Sequence, residues 1–497
     1  MSKAHWFPIY RYEDSHRVLV LALQGLANRT GPRLLVDARF WNYPPADAFW
    51  KGYYEANKDC RFEPVDDIDS LLEIFSDCYH GVVIYDPRLK GSMCAALTLA
   101  AQQDLLPLSS SIACDFPQLP VKENLVGRFA SDAEAVQWEM ENLLPCCKRG
   151  LAYAVSRPWS GWSVDALDYA VMEKAFTFTL RLKDASPEEE RLGHRLMREL
   201  GPDCAMMGWA EPEDDYVKLV SRHNSYILCA EASNLSFHSK IPARPLPYLQ
   251  KARRGERAFE PANVHYVAFM TSEGDSPKIH AALQGGAWLD LARGAVPINW
   301  GNSPRVALLA PALAEYYYDT ATGNDYFVCG ASGSGYVLPN EMPEPQAFFE
   351  RTGRELTLLD LTEVESWLRY SRPVYESYAA LSRIKGFFMP GGPRPHTFAE
   401  TGAVVTGRDS TLNYIKASLG REGMLDTIVK AAEARPKPSF DTVFFIPDAP
   451  EGNPAAEAGF SPSDLLWVAE RLPDDFKVVT LEEMVFAMRA ARCSGTW

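Results

Sequence analysis

An α/β protein of more than one domain is what the sequence predicts, and three observations carry that expectation. Apolar runs of strand length alternate with segments of helical period along the chain, the pattern of layered α/β structure. At 497 residues the chain exceeds what one hydrophobic core organises. A Pro- and Arg-rich stretch, 241–262, carries Pro242, Pro245, Pro247 and Pro261 without any clear period. It reads as a linker between an N-terminal α/β region of small, Rossmann-like subdomains (1–240) and a C-terminal (β/α)7-8 barrel (263–497).

In the N-terminal region Val18 to Leu23, Leu34 to Val36 and Gly81 to Tyr85 read as strands, and Ala95 to Gln102 as a helix. The alternation continues through Leu151 to Val155, the charged helix Pro187 to Leu200, and the runs Ala205 to Trp209 and Tyr226 to Ala230. Pro187 suits a first helical turn. Beyond the linker, strand candidates are His265 to Thr271, Ala295 to Trp300, Tyr326 to Cys329, Gly386 to Met389, Ala403 to Thr406, Thr442 to Ile446 and Val478 to Thr480. The segments between them include helical patterns at Lys278 to Leu291, Pro304 to Tyr318, Thr362 to Leu368, Leu412 to Leu419 and Ser463 to Arg471. Parallel strands with crossover helices place reactive groups on the loops after strand C-terminal ends.

Composition narrows the function. A net charge of -15 repels phosphate backbones, and the one basic cluster, Lys251 to Arg257, contains an acid and no aromatic residue, so it reads as solvated linker and nucleic acid is not expected as a partner. No stretch reaches the roughly 20 apolar residues of a membrane helix. The ten cysteines form no Cys-x-x-Cys and the nine histidines no His-Glu-x-x-His, so reduced structural thiols are expected and no cofactor is required. The first residues lack the apolar core of a secretory signal, which places the chain as given in the cytoplasm; an exported chain already trimmed would read the same. Twelve Trp and 22 Tyr supply faces and hydroxyls suited to sugar rings.

Three successive strand ends in the C-terminal region carry polar chemistry. His265 to Thr271 runs into Ser272-Glu273-Gly274-Asp275, where residues two apart in extended chain lie about 6–7 Å apart on one side, close enough to divide acid and base roles or to share a divalent metal. The same turn equally serves as a helix N-cap at Asp275 or Ser276. Ala295 to Trp300 ends in Gly301-Asn302-Ser303-Pro304, offering an indole at Trp300 for sugar stacking or core packing and an amide at Asn302 for hydrogen bonding. The third run, with Asp325 as a helix-to-strand anchor, ends in Gly330-Ala-Ser-Gly-Ser-Gly-Tyr336. Its glycines permit close backbone approach to a ligand, with Ser332, Gly333, Gly335 and Tyr336 as candidate contacts. It matches no esterase elbow, P-loop or dinucleotide fingerprint. Upstream, Trp209 and Asn234 are further candidate binding residues, against turn formation at Asn234.

At Gly333-Ser-Gly-Tyr-Val-Leu-Pro339 the sequence resembles the GxGYxYP family, described as glycoside hydrolases and named for that motif, with Leu338 in place of the second tyrosine. Leu23-Gln-Gly-Leu-Ala-Asn-Arg29, Val83-Ile-Tyr-Asp-Pro87, Gly208-Trp209, Asn234-Leu-Ser236 and Asn299-Trp300 are similar to family elements in the same order. The acidic turn is similar to the family's Ser-Asp-Gly-Asp-Asn, with Glu273 for the first aspartate and Ser276 for the asparagine. The resemblance implies N-terminal α/β units, a C-terminal barrel similar to polysaccharide deacetylases, and carbohydrate as substrate.

The leading expectation is glycosidic hydrolysis with Glu273 and Asp275 as the carboxylate pair and with Trp300 and Tyr336 orienting the sugar. A variant is metal-assisted deacetylation, Asp275 and Glu273 holding a divalent ion with His280 or His396. The alternative from another class is a non-catalytic carbohydrate-binding protein.

Overall fold

The computed structural model describes residues 2–39, 43, 45–155, 166–229, 232–271, 277–366, 370–389, 396–407, 411–412, 417–433, 435–450 and 459–495. The chain divides into two compact units. The first comprises Met1–Pro242, Leu309–Pro311 and Glu341–Pro343; the second comprises Ala243–Leu308, Ala312–Asn340 and Glu344–Trp497.

Three small sheets, each wholly parallel, organise the first unit. β1 (Ser2–Phe7) lies between β2 (Leu34–Val36) and β3 (Cys60–Pro64). β4 (Val82–Tyr85) lies between β5 (Leu106–Ser109) and β6 (Val121–Asn124). In the third sheet β7 (Leu151–Ala154) separates β8 (Phe176–Phe178) from β9 (Ala205–Gly208), and β10 (Tyr226–Cys229) follows β9. In each sheet the first strand is internal and the chain crosses to one side and then to the other, the Rossmann-like winding expected of this region.

The helix Pro187–Leu200 begins where Pro187 suggested. Ser186 Oγ accepts the Glu189 N–H at 3.2 Å and Glu189 Oε2 accepts the Ser186 N–H at 2.8 Å, closing a capping box. The run Val18 to Leu23 is not a strand; it lies inside the helix Asp14–Ala27, in which every residue from Val18 to Ala27 is buried. A helix buried around its whole circumference loses the polar stripe from which a period is read.

The second unit is built on one large sheet. β11 (His265–Thr271), β12 (Ile298–Asn302), β13 (Asp325–Cys329), β14 (Glu363–Glu365) and β15 (Gly386–Phe388) succeed one another in space as in sequence. β16 (Thr397–Phe398) and β17 (Val404–Val405) finish that side, β16 as the antiparallel strand. On the other side β11 pairs with β19 (Ser439–Phe445), which pairs with β18 (Thr411–Leu412), while β20 (Phe476–Val478) joins the first half of β11.

The sheet curls, but the expected closed barrel is not formed. The order runs from β16 to β18, and among the described residues no pairing joins these ends. The helix Leu481–Ser494 covers one face instead, Met484, Val485 and Met488 packing with Tyr266, Met270, Tyr326, Phe388 and Phe444. Thr362 to Leu368, expected as helix, contains β14. Glu363 and Glu365 are 0 % exposed, so period-2 alternation runs through carboxylates and not through apolar residues. The expected helix Leu412 to Leu419 contains the end of β18 and a single turn at Ala417–Leu419; 413–416 lie outside the described residues.

The stretch expected as a linker falls almost wholly within the second unit. Gln250 bonds the backbone of Phe327 in both directions, at 3.0 and 2.6 Å, and Arg253 pairs with Asp360 and, at 3.1 Å, with Glu482.

Candidate functional site

The parallel strands of the second unit end at a common edge. β11 closes on Thr271, whose Oγ1 accepts the Gly301 N–H of β12 at 2.8 Å. The acidic turn that follows, with Glu273 and Asp275, lies outside the described residues, as does Ser276.

β12 ends on Asn302, aligned with Cys329 of β13. Its side chain is 0 % exposed, and neither Nδ2 nor Oδ1 has a hydrogen-bond partner among the described residues. A buried amide normally satisfies both groups, and leaving them unpaired costs about 1–3 kcal/mol.

β13 leads into the glycine-tyrosine loop, buried from Gly330 to Pro339. Gly333 has φ of +124°, and a Cβ there would lie 2.2 Å from Tyr378 Oη, so the loop path requires glycine. Tyr378 Oη donates to the Ser332 carbonyl at 2.6 Å, and the Ser332 N–H donates to the Glu365 carbonyl at 2.9 Å, tying the loop to β14. Ser334 donates its N–H to Thr352 Oγ1 at 3.1 Å, while its own buried Oγ has no partner among the described residues. Cys329, between these elements, donates Sγ–H to the Gly333 carbonyl at 3.4 Å; burial first, then Glu355 and Glu365, pushes its thiol well up, so it is no nucleophile.

The structure separates the sequence candidates. Asn302, Gly333, Gly335 and Tyr336 stand at this edge or in its loop. Trp300 does not face a ligand: it is 0 % exposed, edge-on to Trp288 at 5.1 Å, and its Nε1–H donates to Asp325 Oδ1 at 2.9 Å. Asp325 is the anchor expected, also holding Arg293 and the Thr322 N–H. Ser332 is committed as well, its Oγ donating to the Val337 carbonyl at 2.7 Å to close the loop.

Asn234 is a structural joint of the first unit. Its Oδ1 accepts from Gln24 Nε2 (2.7 Å) and the Val36 N–H (2.9 Å), and its Nδ2 donates to the Val36 carbonyl and Asp47 Oδ1 (2.9 Å each). All four positions are occupied, which leaves none for a sugar. Asn28 does likewise with Leu34, Arg33 and Ser236. Trp209 is half-buried in the first unit, edge-on to Tyr216 at 5.8 Å.

His280 is buried edge-on to Tyr317 at 5.4 Å, and the His396 ring lies edge-on to Phe440 at 6.4 Å. Among the described residues no group of three or more His, Cys, Asp or Glu side chains is arranged to hold a metal ion. Among these residues, too, no helix is long and apolar enough to cross a membrane.

Two residues at the edge escaped sequence reading. Ser334 was hidden among loop glycines. Glu365 was masked by the helical reading of its segment, although the alternation in Thr362-Glu-Val-Glu-Ser366 was a usable strand signal.

The domain described as "GxGYxYP putative glycoside hydrolase C-terminal domain" matches residues 263–489, the "GxGYxYP third domain" residues 160–240, and the "GxGYxYP_N 1st domain" residues 6–77. A crystal structure described as a putative hydrolase from Bacteroides thetaiotaomicron VPI-5482 superposes with a TM-score of 0.80 at 19% identity, covering 99% of this chain and 95% of that one. No curated protein matches the chain significantly.

Proposed function

The chain belongs to the GxGYxYP family, and from that premise we propose that it hydrolyses glycosidic bonds at the C-terminal strand edge of its second unit. The observation that carries this reading is the buried amide of Asn302, unpaired among the described residues, with the likewise unpaired Ser334 hydroxyl on the loop beside it. A donor and an acceptor held dry at a strand edge suit the paired hydroxyls of a sugar.

Carboxylates supply the chemistry. In sequence Glu273 and Asp275 follow β11, which pairs with the strand that ends on Asn302, and Glu365 ends β14, where its carbonyl holds the glycine-tyrosine loop. In this reading one carboxyl of the acidic turn protonates the leaving oxygen, and Tyr336 and the Gly333–Gly335 backbone bound the sugar. No cofactor is needed for that step.

Purified protein tested on a glycan panel should release reducing ends. Glu273→Gln and Asp275→Asn should each lower turnover by about 100-fold or more while calorimetric sugar binding persists. Normal turnover in both variants sinks the assignment. An EDTA arm separates it from metal-assisted deacetylation, which would release acetate and stop on chelation.

A further inference from the structure

We infer that Gln284 is a further binding residue of the sugar site at this strand edge, donating from its amide nitrogen to an oxygen of the ligand; this rests on the carbohydrate reading above and on no particular carboxylate. The sequence reads Lys278 to Leu291 as one helix, but the helix Pro277–Ala281 ends early and the chain turns left-handed. Leu283, Gln284, Gly285 and Gly286 have φ of +51°, +48°, +68° and +90°. Glycine adopts such backbone without penalty, whereas leucine and glutamine do so only where their surroundings hold them.

Three strand ends hold this turn. Gly285 packs on the chain leaving β19: a Cβ there would fall 2.4 Å from the Pro447 carbonyl oxygen and 3.6 Å from Asp448 Cα. Thr271, the last residue of β11, donates its hydroxyl to Gln284 Oε1 at 3.5 Å, and the same oxygen accepts the Gly301 N–H of β12 at 2.8 Å. Asn302 follows Gly301 directly. Just past the turn, the Trp288 ring meets Trp300 at 5.1 Å and Tyr317 at 4.6 Å, and its Nε1–H donates to Thr320 Oγ1 at 3.0 Å. Packing on both sides therefore sustains the strained backbone.

What the turn achieves is the placement of one amide. Gln284 is 0 % exposed, and its Nε2 has no hydrogen-bond partner among the described residues. The Thr271 oxygen accepts from a backbone amide, so its own proton goes to Oε1 and fixes which end of the glutamine amide is spent. Gln284 and Asn302 thus bring open amides to the two ends of one hydrogen-bonded chain, Gln284 to Thr271 to Gly301. Buried amides are normally paired, and two left open on one strand edge, one of them in strained backbone, fit a ligand that completes them. Asn302 can donate and accept, whereas Gln284 can only donate. Neighbouring sugar hydroxyls offer an O–H to the first and an oxygen to the second; a sugar position reduced to hydrogen offers Gln284 nothing.

The test is calorimetric binding to the full chain of disaccharides of glucose, galactose and mannose and, for the tightest of them, its monodeoxy analogues. Gln284→Met keeps the reach of the side chain and removes its N–H groups; it should weaken binding about three- to tenfold while the denaturation midpoint stays level or rises. One monodeoxy analogue should bind the parent protein more weakly by a similar factor, yet bind Gln284→Met as well as the full sugar does, because the pair is already broken. A residue that only supports the fold would weaken every analogue alike. Should Gln284→Met fail to fold, Gln284→Leu enters the same series. Binding within about twofold of the parent, or a loss shared equally by all analogues, overturns the role of Gln284 and leaves the carbohydrate reading standing. A parent protein that binds none of these sugars overturns that reading, and this inference with it.

Discussion

Asn234 and Asn302 are both 0 % exposed, and they do opposite things. Asn234 makes four hydrogen bonds that join the strand Leu34–Val36, the helix Asp14–Ala27 and Asp47. Asn302 makes none with its side chain among the described residues. Both are candidate binding residues by sequence alone, so at that level they stand equal as ligand contacts. The difference shows that a buried amide is informative only once its partners are counted: a saturated one holds a fold together, an unsaturated one waits for something else.

The largest expected effect tests the saturated side. Asn234→Leu keeps the volume but leaves Gln24, Asp47 and both backbone groups of Val36 without their partner. Chemical denaturation should show the first unit destabilised by about 3 kcal/mol or more. Unchanged stability would break the contrast.

Asp47, one of those partners, gives a smaller effect with a definite sign. Burial raises its carboxyl from 3.8 to about 7, against the Ala38 and Asn234 hydrogen bonds that lower it. The folded protein thus keeps this proton up to near pH 7, whereas the unfolded chain releases it near pH 3.8. The stability linked to it is fully present below pH 3.8 and lost as pH rises to about 7, by at most roughly 1.4 kcal/mol per pH unit. His238 works the other way: burial lowers it to about 3, so its contribution falls as pH drops below 6.5. Thermal melts from about pH 4 to 8 should show a shallower fall toward neutrality in Asp47→Asn than in the parent, and parallel curves would refute the linkage.

Much of the architecture was legible because its signals are local. Ser186, Pro187 and Glu189 announce one helix start, and the fully apolar core of His265 to Thr271 announces the central strand. What stayed hidden depended on partners far along the chain. Val18 to Ala27 is apolar on every side because neighbours surround it, so a strand and a helix read alike there. Glu363 and Glu365 occupy buried strand positions because Tyr326 and Thr362 satisfy Glu363 and the sheet encloses both. Trp300 stood correctly near a strand end, but only the structure shows its indole turned onto Asp325 and Trp288. The candidate edge was thus readable as a place, and the division of labour within it was not.

Asn302→Leu sharpens the contrast with the smallest loss of stability. The native amide already forgoes its hydrogen bonds, so replacing it with an apolar side chain of similar volume removes a desolvation penalty and breaks no bond. Denaturation of the second unit should therefore show no loss of stability, and a gain of up to about 1–3 kcal/mol. Loss of two hydrogen-bonding groups from the proposed sugar site should nevertheless weaken turnover or binding by about tenfold or more. Asn302→Leu that destabilises as much as Asn234→Leu would mean that the amide is structural, and the case for ligand binding at this strand end would fall with it.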